Sequence, residues 1–240
     1  MEFLCLAAGK GSRFGRLGSY LQKCMYPILG RPFLEHALES LVRGTGESGI
    51  GGRVTFIVGH YAEQIRSYFG NSFEGLALEY VEQDEPLGTG HAVSLAHRAQ
   101  NYTEPVTIWL ADSFHRAERF RDVRDSPHVH TLTVAQHPFD RDRNERVDVD
   151  GDRIVRAWQG TGPYVDIGLW RFGPDLLGRM SGSRADEFRA LLNVQAAIDD
   201  GAEVGAVFSP EWIHLGAAEP SFEASIREVT QYFLEEPDRA

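Results

Sequence analysis

The sequence predicts an α/β fold: a mixed, mainly parallel sheet flanked by helices, continued by a β-rich lobe. Three observations lead there. Residues 1 to 112 alternate apolar and amphipathic segments in the order strand, helix, strand, helix, strand, helix, strand, which builds a parallel sheet with right-handed crossovers. From about residue 128 the segments become β-rich and closely spaced. The 42% hydrophobic and 25% charged residues are those of a globular chain, and 240 residues can bury a sizeable core.

Each element has its own signal. "EFLCLAA" is a short, almost continuous apolar strand of the kind found in a sheet covered on both faces. "PFLEHALESLVRG" sets Phe33, Leu34, Ala37, Leu38 and Leu41 at helical spacing, with Pro32 at the start and Gly44 expected just past the end. "GRVTFIVGH" is a second buried strand, "YAEQIRSYFG" a helix closed by Gly70, and "LALEYVEQ" a third strand. "GTGHAVSLAHRAQ" starts as a loop and continues as a helix, and "PVTIWLAD" is a fourth strand ending in an acid. Then come "HTLTVAQHP", "RVDVDGDRIVRAW" and "YVDIGLWRF", which pair as an added, partly antiparallel layer. The charged stretch 137–155 reads as a loop leading into a hairpin that turns at Asp150-Gly151. "RADEFRALLNVQAAIDDG" is an amphipathic helix, "AEVGAVFS" a strand and "EPSFEASIREVTQYFLEE" a closing helix, long enough to suggest packing on a partner chain. No linker interrupts the chain, which reads as one domain (1–240) with lobes 1–127 and 128–240.

Bulk properties exclude several classes. The net charge of -11, from 35 acids against 24 bases, argues against a nucleic-acid binder, which needs a basic face. No apolar run approaches the roughly 20 residues of a membrane helix, and "MEFLCLAAG" lacks the features of a secretory signal. Cys5 and Cys24 are the only cysteines, too few for a disulfide framework, so a reduced, cytoplasmic protein is expected. "DVDGD" lacks the spacing of a calcium loop.

The first strand runs directly into "GKGSRFG". Gly9 and Gly11 beside Lys10, Arg13, Arg16 and Lys23 point to an anion approached by backbone N–H groups. A Walker A loop needs G-x-x-x-x-G-K-[ST], and a dinucleotide fingerprint needs G-x-G-x-x-G; the loop fits neither. In a parallel sheet, this loop, Gln83 after the third strand and Asp112 after the fourth share one edge, where such sheets bind ligands.

The pattern "LAAGKGSRF", then "QKCMYPILGRPFLEHAL", "EYVEQDEPLGTGHAV" and "WLAD", resembles the sugar-1-phosphate nucleotidyltransferases, the family that makes NDP-sugars and pyrophosphate. The "GTGHAV" segment is most similar to the uridylyltransferases acting on N-acetylglucosamine 1-phosphate. The resemblance implies a Rossmann-like fold with a nucleotide-binding first lobe, an acceptor-binding second lobe, and Mg²⁺ as cofactor. It implies a nucleotide site at Leu6, Ala8, Gly9, Lys10, Gly11, Gln83, Gly88 and Thr89, with Arg13 and Lys23 catalytic. Arg13 would hold the leaving pyrophosphate, Lys23 would neutralise phosphate charge, and Gln83 would read the base. Asp112 would hold Mg²⁺ and face the acceptor, with Asp166 and Gln159 as further acceptor contacts. The donor implied is UTP or dTTP and the acceptor a sugar 1-phosphate; a homo-oligomer is compatible with this.

The second half departs from that family. Gln22 replaces the proline before the lysine, no E-K pair follows the hairpin, and Asp166 stands for an asparagine in "VDIGLWRF". His214 in "WIHLGAAEP" occupies the place of the second metal carboxylate and is a candidate ligand beside Asp112. These departures leave open a cytidylyltransferase for a non-sugar phosphate or phosphonate, or a nucleotide-binding pseudoenzyme. Structural readings stand beside the functional ones: Asp112 as a helix cap, Asp166 as a structural hydrogen bond, His91 packing on its helix, and Trp109, Trp158 and Trp170 in the core.

Overall fold

The computed structural model describes residues 1–46, 51–136, 146–180, 189–215 and 222–235, without the side chains of Ser12, Arg13 and Phe222. The expected loop at 137–145 and the first residues of the helix expected from 184 lie outside these.

Strands β1 (Glu2–Ala7), β2 (Arg53–Val58), β3 (Leu76–Glu82) and β4 (Val106–Leu110) form a parallel group in the order β3-β2-β1-β4. Helices α1 (Phe33–Thr45), α2 (Ala62–Phe69) and α3 (Thr89–Gln100) make the crossovers. Helix α4 (Ala117–Asp125), which the sequence reading did not anticipate, leads to β5 (His130–Gln136). The hairpin β6 (Arg146–Asp150) and β7 (Arg153–Arg156) follows, then β8 (Tyr164–Phe172), α5 (Pro174–Arg179), α6 (Ala190–Asp199), β9 (Val204–Ser209) and α7 (Phe222–Glu235).

The β-rich half is not an added layer. It continues the same sheet, in the order β6-β7-β9-β5-β8-β4-β1-β2-β3, with the short strand Ser72–Phe73 at the far edge. β8 joins the halves by pairing antiparallel with both β4 and β5. β9 runs parallel to β5. Because successive side chains alternate sides of a strand, Phe3 and Cys5 enter one core and Leu4 the other. On the first side lie Leu34, Leu38 and Leu41 of α1, Ile65 and Phe69 of α2, and Phe120 of α4. On the other lie Val93 and Ala96 of α3, Leu176 of α5, and Leu191 and Val194 of α6. Trp109, Trp158 and Trp170 are buried, as expected of core residues.

Three local expectations shift. Helix α1 runs past Gly44 to Thr45 and ends at Gly46, whose φ of 54° suits a helix stop. Gly44 is glycine for a different reason: a Cβ there would sit 2.6 Å from the Ala117 carbonyl oxygen and 2.8 Å from Phe120 Cβ. The hairpin turns at Gly151-Asp152, one residue later than read, since Asp150 already pairs with Arg153. Helix α7 turns its apolar face into its own chain, where Val229 and Phe233 pack with Ile28, Phe33, Phe114 and Leu215. Among the described residues no helix is long and apolar enough to cross a membrane.

Candidate active site

A cavity of about 320 Å³ opens at the carboxyl ends of β1, β3 and β4. Leu6, Ala8, Gly9, Gly11, Lys23, Gln83, Gly88, Thr89 and Asp112, all singled out in the sequence, line it, together with Gln22 and Cys24. Lys10 lies in an adjoining cavity of about 340 Å³ that shares Ala8, Gln83 and Pro86 with the first.

The glycine loop leaves β1 and enters a 3-10 segment, Ser12–Ser19. Gly11 has φ 58°, a left-handed conformation that favours glycine. Gly9 is different. A Cβ built on it would meet nothing within 4 Å, and its φ is not in that region. Nothing in the described chain therefore requires glycine at position 9, which lines the cavity.

Gln22 ties this loop to the lysine segment. Its amide Nε2 donates to the Ala7 carbonyl at 2.6 Å and to that of Gly9 at 3.3 Å, while its Oε1 accepts from Cys24 N at 3.0 Å. Its own backbone N–H donates to Gln64 Oε1 at 2.8 Å. Sequence reading saw Gln22 only as a departure from a proline; the donors and acceptors that make it a bracket come from elements far apart in sequence.

Lys23 Nζ donates to Asp112 Oδ2 at 2.6 Å, and His214 Nε2 stands 3.4 Å from the same oxygen. Burial alone would raise the Asp112 carboxyl; Lys23 and then His214 outweigh it and hold the group well below the usual carboxylate range. His214 is positioned by backbone: the short strands Ser113–Phe114 and Ile213–His214 pair, Leu215 N–H donates to the Asp112 carbonyl at 2.8 Å, and Ser225 Oγ of α7 donates to the His214 carbonyl at 2.7 Å. Behind them His115 is fully enclosed, and burial first, then His214, lowers it from 6.5 to about 3. The thiols of Cys5 and Cys24 are pushed well up, by burial first and also by the negative Asp112, so neither is a ready nucleophile.

Gln83 follows β3 and is 7% exposed. Its Nε2 donates to the Gly88 carbonyl at 3.1 Å and lies 2.9 Å from His91 Nδ1. His91 thus does more than pack on its helix. Thr89 lines the cavity, but its hydroxyl oxygen also accepts from Ala190 N at 3.0 Å, tying α3 to the start of α6.

The remaining expected contacts are elsewhere. Asp166 is buried and its Oδ1 accepts from Trp170 Nε1 at 2.7 Å, the structural hydrogen bond weighed as its alternative role. Gln159 is exposed, with φ 53°. Neither lines the cavity. Arg13 lies in the 3-10 segment beside the loop, and its side chain is outside the described atoms.

An open sheet with a glycine loop, a lysine–aspartate pair and an amide gathered at its carboxyl edge puts these groups where such sheets bind ligands. The chain belongs to the family of the MobA-like NTP transferase domain, which it matches over residues 3–196. It is 38% identical over 171 residues to D-glycero-alpha-D-manno-heptose 1-phosphate guanylyltransferase of Aneurinibacillus thermoaerophilus, covering 69% of this chain and 70% of that one. It is 26% identical to the bifunctional protein GlmU of Burkholderia thailandensis, covering 98% of this chain and 53% of the relative. A GlmU of Exiguobacterium sp. is 41% identical over 91 residues, 38% of this chain and 17% of that protein. The chain thus spans about half or less of the length of these GlmU relatives. In fold it is similar to UDP-glucose pyrophosphorylase solved with UDP-glucose (TM-score 0.81, 16% identity, 98% of each chain) and to that of Acinetobacter baumanii (TM-score 0.82, 16% identity, 100% of this chain and 95% of that one).

Proposed function

We propose that this chain transfers a nucleotidyl group from a nucleoside triphosphate to the phosphate of a sugar 1-phosphate. An acceptor phosphate oxygen would attack the α-phosphorus, the bond from that phosphorus to the bridging oxygen would break, and pyrophosphate would leave with the electron pair. The observation that carries this reading is the meeting of Gly9, Lys23, Gln83 and Asp112 around one cavity.

Gly9 leaves room for phosphate against backbone N–H groups, and Lys23 supplies a cation at the transferring phosphate. Arg13 belongs with the leaving pyrophosphate. Mg²⁺ fits the donor set: Asp112 is the one carboxylate lining the cavity among the described residues, and Mg²⁺ is commonly held by one or two carboxylates with substrate oxygens. Bound there, the ion would neutralise charge on the phosphate oxygens. His214 would stand beside Asp112 as nitrogen ligand or as the group that orients the carboxylate. Residues 1–127 would bind the nucleotide and 128–240 the acceptor, with Asp166 supporting the acceptor wall through Trp170. The two buried free cysteines support a cytoplasmic setting.

UTP and dTTP are the donors the family resemblance implies, UTP also through the "GTGHAV" segment; the guanylyltransferase relative adds GTP. The test is pyrophosphate release with Mg²⁺, for each common triphosphate against a panel of sugar 1-phosphates including heptose 1-phosphate. One donor–acceptor pair should give turnover, and Arg13→Ala and Lys23→Ala should each reduce it by about 10²-fold or more. Absence of release with every pair, while triphosphates still bind, would instead support the pseudoenzyme.

A further inference from the structure

Both N–H groups of the Gln83 side chain are committed inside the protein. One meets the Gly88 carbonyl at 3.1 Å, and the other faces His91 Nδ1 at 2.9 Å. A carbonyl oxygen can only accept, so the reverse amide orientation would set Gln83 Oε1 against the Gly88 oxygen. His91 Nδ1 is the second acceptor holding the same orientation. Burial first, then the charge of Arg98, favours neutral His91, the form with an accepting ring nitrogen, against a smaller opposing effect of Glu85. His91 itself does not line the cavity; it touches a residue that does.

What remains is Gln83 Oε1, which accepts from no described residue. A glutamine free to rotate offers a ligand either a donor or an acceptor. A glutamine pinned in this way offers an acceptor alone. Across the same turn, α3 starts at Gly88 without a side-chain cap, and Gly88 and Thr89 line the cavity beside Gln83. An acceptor there matches a base edge that carries a ring N–H, as in uracil, thymine and guanine. Cytosine and adenine carry an accepting nitrogen at that ring position. They would meet Gln83 only by sliding along the edge to offer their amino group, against triphosphates already anchored at the glycine loop.

We propose that His91 is a positioning residue that locks the Gln83 amide with its oxygen toward the cavity, and that the site thereby selects triphosphates of uracil, thymine or guanine over those of cytosine and adenine. This rests on the nucleotide reading of the cavity given above. It bears directly on the cytidylyltransferase alternative, which it disfavours.

The experiment is calorimetric binding of UTP, dTTP, GTP, CTP and ATP, with inorganic tripolyphosphate as a base-free probe, to the full chain without acceptor. The wild type should bind at least one of UTP, dTTP and GTP about tenfold or more tighter than CTP and ATP, the scale of one well-made hydrogen bond. His91→Ala should shrink that ratio while leaving tripolyphosphate affinity unchanged, which a general loss of structure would not do. His91→Asn, whose carbonyl can accept from Gln83, should restore it. Equal affinity for all five nucleotides, or an unchanged ratio in a folded His91→Ala, overturns the selection by His91 alone. Failure of every triphosphate and of tripolyphosphate to bind overturns the nucleotide reading with it.

Discussion

At the scale of single residues, the site combines one strongly acidic carboxylate with a histidine kept neutral behind it. Asp112 is held ionised by Lys23 and His214 despite its burial. His115 has no such partner in charge. Enclosure lowers it to about 3, while the Gly168 backbone and Asp112 only partly oppose that. The sign of the linkage follows. Between pH 6.5 and about 3 the unfolded chain takes up a proton that folded His115 refuses, so the contribution is unfavourable and grows as pH falls. Its limiting slope is about 1.4 kcal/mol per pH unit. Urea unfolding of the wild type and of His115→Gln between pH 7 and pH 4.5 should show a shallower acid loss in the variant; parallel curves would remove His115 from the account.

Residue chemistry was the part of the site most open to sequence reading. Gly9, Gly11, Gln83 and Asp112 are legible because each follows a strand end, and Lys23 because the segment around it resembles the family's. Gln22 and His91 could not be given their roles in the same way. Each acts through hydrogen bonds to atoms whose proximity depends on tertiary folding, and nothing in their local spacing says which atoms those are. Asp166 and Gln159 were placed by resemblance in the half where the chain departs most from its family.

At the scale of elements, apolar periodicity gave every long strand, because a strand buried on both faces leaves a dense apolar run. It failed for α4. In "AERFRDVRD" only Phe120 and Val123 are buried, and the remaining face is charged, so the stretch carries little apolar signal. The same helix explains Gly44, whose missing side chain lets α1 and α4 approach. Contact with a backbone carbonyl cannot be relieved by a rotamer change. Gly44→Ala should therefore lower stability by about 1–3 kcal/mol despite the better helix propensity of alanine. A thermal melt at pH 7 tests this, and an unchanged or raised melting temperature would mean that the two helices part at little cost. The two-residue strand pairs were invisible in the sequence for a simpler reason: two residues have no period.

At the scale of the whole molecule, one sheet carries both lobes, and β8 is the strand that makes them continuous. The sequence change near residue 128 marks the entry of antiparallel pairs into the sheet, beside the parallel pair β5–β9; it reads as a new layer because apolar pattern does not say which strand a segment will pair with. Helix α7 returns from the far end of the chain to the first half. Phe233, 1% exposed, lies against His36 at a ring separation of 4.5 Å. Phe233→Ala should cost about 3–5 kcal/mol in a urea titration. A midpoint within error of the wild type would show that α7 is a dispensable cover.

That return has a consequence for how the protein is made. The glycine loop, Lys23, Gln83 and Asp112 are all made before the His214 segment, and their parallel strands can begin to assemble first. His214 and the backbone bond from Leu215 to Asp112 come later, followed by the helix whose Ser225 donates to the His214 carbonyl. A nascent chain thus carries the Lys23–Asp112 region before the segment that packs against it exists. The backbone that steadies Asp112 is laid down about a hundred residues after Asp112 itself.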